Sequence, residues 1–171
     1  MNKRIPPVLV VLALASTVVA QQPAVTATEL VEQFKNTSVF WKQFNVGKQL
    51  VALHDSSVLQ TLEPYLKDND RHLRGNVAFV FESLGDHRGF DVIKAILDDR
   101  SDRTGGQGRP GGHWSLPGQI SADRYYAAHL FGDLKDKRAV PILVPLLNDP
   151  EVCYVAPWSL GEIGDKSASV R

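Results

Sequence analysis

Apolar residues recur along this chain at helical spacing, and the recurrence itself repeats. A short phrase marks the period: Leu53-His54-Asp55, Leu84-Gly85-Asp86, Leu134-Lys135-Asp136 and Ile163-Gly164-Asp165. The Asp residues are 31, 50 and 29 positions apart. Thirteen residues beyond the first three stand Asp68, Asp99 and Asp149. Before these lie the pairs Tyr65-Leu66, Ile96-Leu97 and Leu146-Leu147, with Leu62, Ile93 and Leu143 one turn earlier. Spacings of i, i+3 and i+4 place such residues on one stripe of a helix. The pattern predicts first helices over Ser57–Lys67, Arg88–Asp98 and Lys137–Asn148.

Upstream of each reference Asp the pattern differs. Eight residues before it stand Gly47, Ala78, Ala128 and Pro157; five before it stand Leu50, Phe81, Phe131 and Leu160. Small residues at one level let helices approach closely, and large apolar ones a turn later fill the core. This predicts second helices over Phe40–Leu53, Asp70–Leu84, Ala122–Leu134 and Glu151–Ile163. Asp70, Ser121 and Asp149 suit N-caps. Gly85 and Gly164 suit left-handed C-terminal caps, a place that His54 and Lys135 fill less easily. Pro141 fits a first turn, whereas Pro145 and Pro157 are expected to kink their helices.

The run Leu134-Lys135-Asp136-Lys137-Arg138-Ala139-Val140-Pro141-Ile142-Leu143-Val144-Pro145-Leu146-Leu147-Asn148-Asp149, with Trp158-Ser159-Leu160-Gly161-Glu162-Ile163-Gly164-Asp165, resembles the HEAT-like repeats of phycobilisome lyase subunits and of many bacterial repeat proteins. The resemblance centres on 121–165, extends over 55–98 and is faintest over 28–54. It implies an all-α fold, a right-handed α-α superhelix of about four helix pairs. It does not imply one function, because such units serve adaptors, enzyme chaperones and enzymes.

The long interval locates an insertion at about 100–120. Six of the chain's 13 glycines lie there, interleaved with Arg100, Arg103, Arg109, His113 and Trp114. That composition is expected to stay non-helical. It reads either as a binding loop, with arginines for an anion and Trp114 as an anchor, or as a plain surface loop. No Gly-Lys-Ser/Thr phosphate loop is present. At the other end, Lys166-Ser167-Ala168-Ser169-Val170 aligns with Lys137–Pro141, so the C-terminal repeat reads as incomplete and its apolar face as uncapped.

The N-terminus changes the expected compartment. Lys3 and Arg4, the apolar run Val8–Ala15 and Val18-Val19-Ala20 describe a signal peptide over 1–20, cleaved before Gln21. A HEAT-like domain over 21–171 is then periplasmic or secreted, with no stable membrane insertion. Without residues 1–20 the chain carries 17 basic and 19 acidic residues. That balance gives no reason to expect a nucleic-acid partner. Cys153 is the only cysteine, so no internal disulfide forms; Val152, Val155 and Ala156 favour a buried position for it.

Chemistry is sparse. None of the five histidines is followed by Glu, which excludes a His-Glu-x-x-His metal motif and the His-Glu pairs of di-iron helical-repeat hydroxylases. No metal and no cofactor are expected. His129 shares a repeat position with Lys48, Phe79 and Trp158, which suits a binding face or a half-buried contact. Arg74 and Arg124 share another with Gln43 and Cys153, and are expected to pair with Asp86 and Asp136 between units. The expected partner surface comprises Arg109, His113, Trp114, Arg124, Tyr125, His129 and Trp158, since Tyr, Trp and Arg are common interface anchors. Tyr126 is divided between that surface and the core. The leading expectation is an exported, non-enzymatic module binding a protein or peptide. The alternatives are a lyase-like or chaperone subunit acting on a chromophore, and anion or metal binding by the loop.

Overall fold

The structure, a computed structural model, describes residues 25–101 and 116–164. Every regular element among them is helical: α1 (Ala27–Asn36), α2 (Phe40–Ala52), α3 (Val58–Leu62), α4 (Arg71–Ser83), α5 (Arg88–Asp98), α6 (Leu116–Leu134), α7 (Val140–Leu143) and α8 (Val155–Ile163). They form four successive pairs. The second helices also stack on one another, α2 on α4, α4 on α6 and α6 on α8. The expected signal peptide, Arg103, Arg109, His113, Trp114 and the incomplete C-terminal unit lie outside the described residues. No helix among the described residues is long and apolar enough to cross a membrane.

The apolar periodicity becomes the core. Leu50, Phe81 and Phe131, equivalent in the repeat, have no solvent contact, and neither do Leu62, Ile93 and Leu143 of the first helices. Each such side chain contributes roughly 1.5–3 kcal/mol relative to exposure.

Prolines decide the shape of the first helices. α5 contains none and runs unbroken over the expected range. α3 passes into a 3-10 helix at Glu63–Lys67, which carries Pro64. α7 lies between 3-10 helices at Lys137–Ala139 and Val144–Asn148, the second carrying Pro145. A proline removes the i→i−4 donor, so tighter turns take over. The expected kink at Pro157 does not arise. α8 begins at Val155, after a turn over 150–154, so Pro157 sits in its first turn where no donor is missed.

Two other boundaries differ from expectation. α6 begins at Leu116, so Ser121 is not a cap and residues 116–120 of the expected insertion are helical. α1 opens with a capping box: the Glu29 amide donates to Thr26 Oγ1 at 3.3 Å, and the Thr26 amide to Glu29 Oε2 at 2.8 Å.

The recurring phrase has one conformation throughout. Gly85 and Gly164 have φ of 91° and 67°, and His54 and Lys135 adopt the same left-handed region at 53° and 54°. The non-glycine residues do so at a cost of roughly 1–2 kcal/mol each. The following Asp side chain then accepts from the amide two residues on, at 2.9 Å for Asp55, 3.1 Å for Asp86 and 2.9 Å for Asp136. Asp68, Asp99 and Asp149 repeat this turn at the other end of the first helix, at 2.8, 2.9 and 3.0 Å.

Candidate functional site

The second helices carry two adjacent sets of chemistry-bearing residues, one closed and one open. The closed set begins with Gln43, Arg74 and Arg124, twelve residues before their reference Asp. Each donates to a carbonyl at the C-terminal end of the first helix in its own pair: Gln43 Nε2 to Phe34 O at 3.0 Å, Arg74 Nη1 to Asp68 O at 2.8 Å, and Arg124 Nε to Leu97 O at 2.8 Å. The last carbonyls of a helix have no partner within it, and these side chains supply one. The ladder expected from Arg74 and Arg124 to Asp86 and Asp136 therefore does not form. Those aspartates pair with Arg88 and Arg138 instead.

Around these caps a buried polar seam joins four helices, α2, α4, α5 and α6. Asn76 Nδ2 donates to Gln43 Oε1 at 2.9 Å and to Phe40 O at 3.0 Å, while the Tyr126 hydroxyl donates to Asn76 Oδ1. Arg71 bridges the fully buried Asp123 at 3.2 Å and Asp99 at 2.6 Å, and donates to the Ser101 carbonyl at 3.1 Å. His72 Nε2 stands 3.6 Å from Asp123. Arg71 thus fastens the chain at the point where it enters the insertion. Gln43, Asp99, Arg124 and Tyr126 stood out in the sequence, but Arg71, Asn76 and Asp123 did not. Buried Arg and Asp lie where the helical stripe is expected to be apolar, and only their mutual contact across 52 residues explains them.

Arg124 belongs to this closed set and not to a partner surface. It is 3% exposed, and its guanidinium donates to Asp149 Oδ2 at 2.8 Å and to Glu151. Arg100, at the foot of the insertion, meets the same two carboxylates at 2.7 and 3.0 Å. The hydrogen bond from Arg124 holds the Asp149 carboxyl down at about 2, against the smaller opposing effect of burial.

The open set lies 14, 11 and 7 residues before the reference Asp, one face of each second helix. On α2 it presents Trp41 and Lys48, with Phe44 buried between them; on α4 the same register is closed, with Gly75 and Phe79 buried; on α6 it presents Tyr125 and His129; on α8, Trp158, preceded by Tyr154. Trp41 is 57% exposed, Tyr125 43%, Trp158 40% and Tyr154 85%. Trp41 and Trp158 rest on other rings. Phe40 stacks on His72 at 4.5 Å and meets Trp41 at 5.2 Å and Tyr126 at 4.9 Å. Phe44 meets Phe79 at 4.7 Å, with the Lys48 ammonium 4.9 Å over its ring. His129 stacks on Trp158 at 4.1 Å, and its Nδ1 is 2.7 Å from Asp133.

Of the expected partner residues, Tyr125, His129 and Trp158 share this face. Tyr126 is half-buried beneath it, and Cys153 is half-buried beside the Pro150 carbonyl. Trp41 and Tyr154 escaped the sequence reading, although they occupy the register of His72 and Tyr125.

A cleft at the C-terminal ends of α4 and α6 is lined by Glu82, Ser83, His87, Leu134, Asp136 and Arg138. Its charges satisfy one another. Arg138 bridges Glu82 and Asp136 and covers the Phe90 ring at 4.4 Å, so the cleft is a clamp between units. Among the described residues no group of three or more His, Cys, Asp or Glu side chains could hold a metal ion.

Residues 123–149, from the buried Asp of α6 to the Asp turn before α8, match the family model described as PBS lyase HEAT-like repeat. No curated protein matches the chain.

Proposed function

We propose that the second-helix face of this chain, whose residues 123–149 match the PBS lyase HEAT-like repeat model, binds a segment of a partner protein, as helical repeat scaffolds commonly do. One observation carries this reading: the rings of Trp41, Tyr125 and Trp158, at three neighbouring register positions of one face, stay exposed on three second helices, while the charged residues beside them are engaged internally. Exposed aromatic rings on a rigid base lose little entropy when a partner covers them, and such rings dominate binding energies.

Export is part of the proposal. The basic start, the apolar run Val8–Ala15 and the small residues before Gln21 support delivery to the periplasm or outside the cell. N-terminal sequencing of the protein from an envelope fraction is expected to begin at Gln21, and an intact Met1 would sink this part.

The binding test compares the wild type with Trp41→Ala/Tyr125→Ala and with a deletion of 103–115. Each is used to capture proteins from an envelope extract of the source organism. The expected result is a saturable partner retained by the wild type and lost from the double variant. Equal capture by that variant would place the contact elsewhere; loss only on deleting 103–115 would move it to the insertion.

A further inference from the structure

The second helices differ in what becomes of their charges. α4 and α6 each carry both signs, and α8 carries only Glu162, which pairs with Lys135 at 3.5 Å. α2 carries Lys42 and Lys48 and no acidic residue. Both lysines are exposed, and neither meets a carboxylate among the described residues. Lys35 and Lys94, by contrast, pair with Glu32 and Asp98 on their own helices. Lys67 and Lys137 are also unpaired, but they stand singly on first-helix segments, outside the aromatic face. Lys48 lies two turns from Trp41 on one face of α2, with its ammonium seated 4.9 Å over the Phe44 ring. A cation placed over a ring keeps its outer side for another group.

The rest of the chain does not hold the missing charge. Residues 1–24, 102–115 and 165–171 contain two acidic side chains, Asp102 and Asp165, against Lys3, Arg4, Arg103, Arg109, Lys166 and Arg171. Each of these aspartates directly follows a residue held on another helix pair, Ser101 by Arg71 and Gly164 at the end of α8. Those segments would bring more positive charge to α2 than negative. Complementary charge orients a segment on a surface and excludes the wrong ones. Resting on the partner face proposed above, we propose that the segment bound there is acidic, with Asp or Glu side chains over Lys42 and Lys48 and an aromatic or aliphatic side chain on Trp41. Its apolar remainder crosses toward Tyr125 and Trp158, where His129 and Asp133 already face each other. The lysines thus set the direction in which the segment runs.

Titration of the full chain onto an immobilised glutamate–tyrosine copolymer tests this, beside a lysine–tyrosine copolymer and oligothymidylate. Binding to the glutamate copolymer alone is expected, weakening as salt rises. Lys42→Glu/Lys48→Glu is expected to weaken it about tenfold or more. Both side chains are exposed, so far-UV circular dichroism should be unchanged in that variant. Absence of binding to the glutamate copolymer overturns the proposal. So does equal binding by the charge-reversed variant, or equally tight binding of the lysine copolymer or of oligothymidylate. The partner face itself fails by a different result, undiminished capture of envelope proteins by Trp41→Ala/Tyr125→Ala.

Discussion

The polar seam and the aromatic face lie one helical step apart on the same second helices, yet they do opposite things. In the seam, Arg71, Asn76, Asp123 and Arg124 are buried and answer one another across α2, α4, α5 and α6. On the face, Trp41, Tyr125 and Trp158 keep part of each ring in solvent. The residues usually searched for chemistry (Arg, Asp, His) hold the stack in register here. The residues usually assigned to a core are the ones left to touch something else. Charge inside a repeat protein is thus poor evidence of a site until its partners are known.

The sharpest way to break the comparison is to leave one seam charge without its partner. Arg71→Ala removes the guanidinium that joins the fully buried Asp123 to Asp99, and is expected to cost about 3–5 kcal/mol in urea denaturation. A cost below about 1 kcal/mol would mean the seam is not structural. Next comes a close contact. A Cβ at Gly89 would lie 2.2 Å from the Ala78 carbonyl oxygen, so Gly89→Ala is expected to cost about 1–3 kcal/mol. The same change at Gly161 meets nothing among the described residues and is expected to stabilise the chain by about 0.5–1 kcal/mol. Equal effects at both positions would contradict the packing described.

On the face the signs reverse. Tyr125→Ala is expected to change stability by less than about 0.5 kcal/mol. It should weaken partner binding by about 2 kcal/mol, roughly thirtyfold, by titration calorimetry. A further effect is a titration. Asp149 has its folded pKa near 2, below the usual carboxylate value, so its contribution is present above about pH 4 and is lost as pH falls toward 2. After screening by solvent, about 1 kcal/mol should disappear over that window. Asp149→Asn should lack the step; an identical acid profile would dissociate Arg124 from the effect.

Much of the fold was legible because period and burial coincide. Leu50, Phe81 and Phe131 were read as core from spacing alone, and α5 matches its expected bounds. The boundaries that moved have local causes. Pro157 was read as interior because the Asp149 turn before α8 resembles helix. Ser121 was read as a cap because the glycines upstream mask a helix that starts at Leu116. The capping box Thr26-x-x-Glu29 that opens α1 was in plain view, but no reference Asp precedes it. The seam was not legible, since Arg71 and Asp123 are far apart in sequence and become a pair only when α4 and α6 stack. The face was half legible: Tyr125, His129 and Trp158 stood out, while Trp41 sits where the repeat is faintest.

The caps at Gln43 and Arg124 carry a consequence for biogenesis. The span closed by Gln43 on Phe34 is 9 residues; that closed by Arg124 on Leu97 is 27, because the insertion lies within it. Closing the longer span costs about 1 kcal/mol more in chain entropy. At ordinary elongation rates α5 also leaves the ribosome roughly 1–5 s before the guanidinium that finishes it. The third helix pair thus waits longer for its cap than the first, and that wait is an interval in which a chaperone has more to protect.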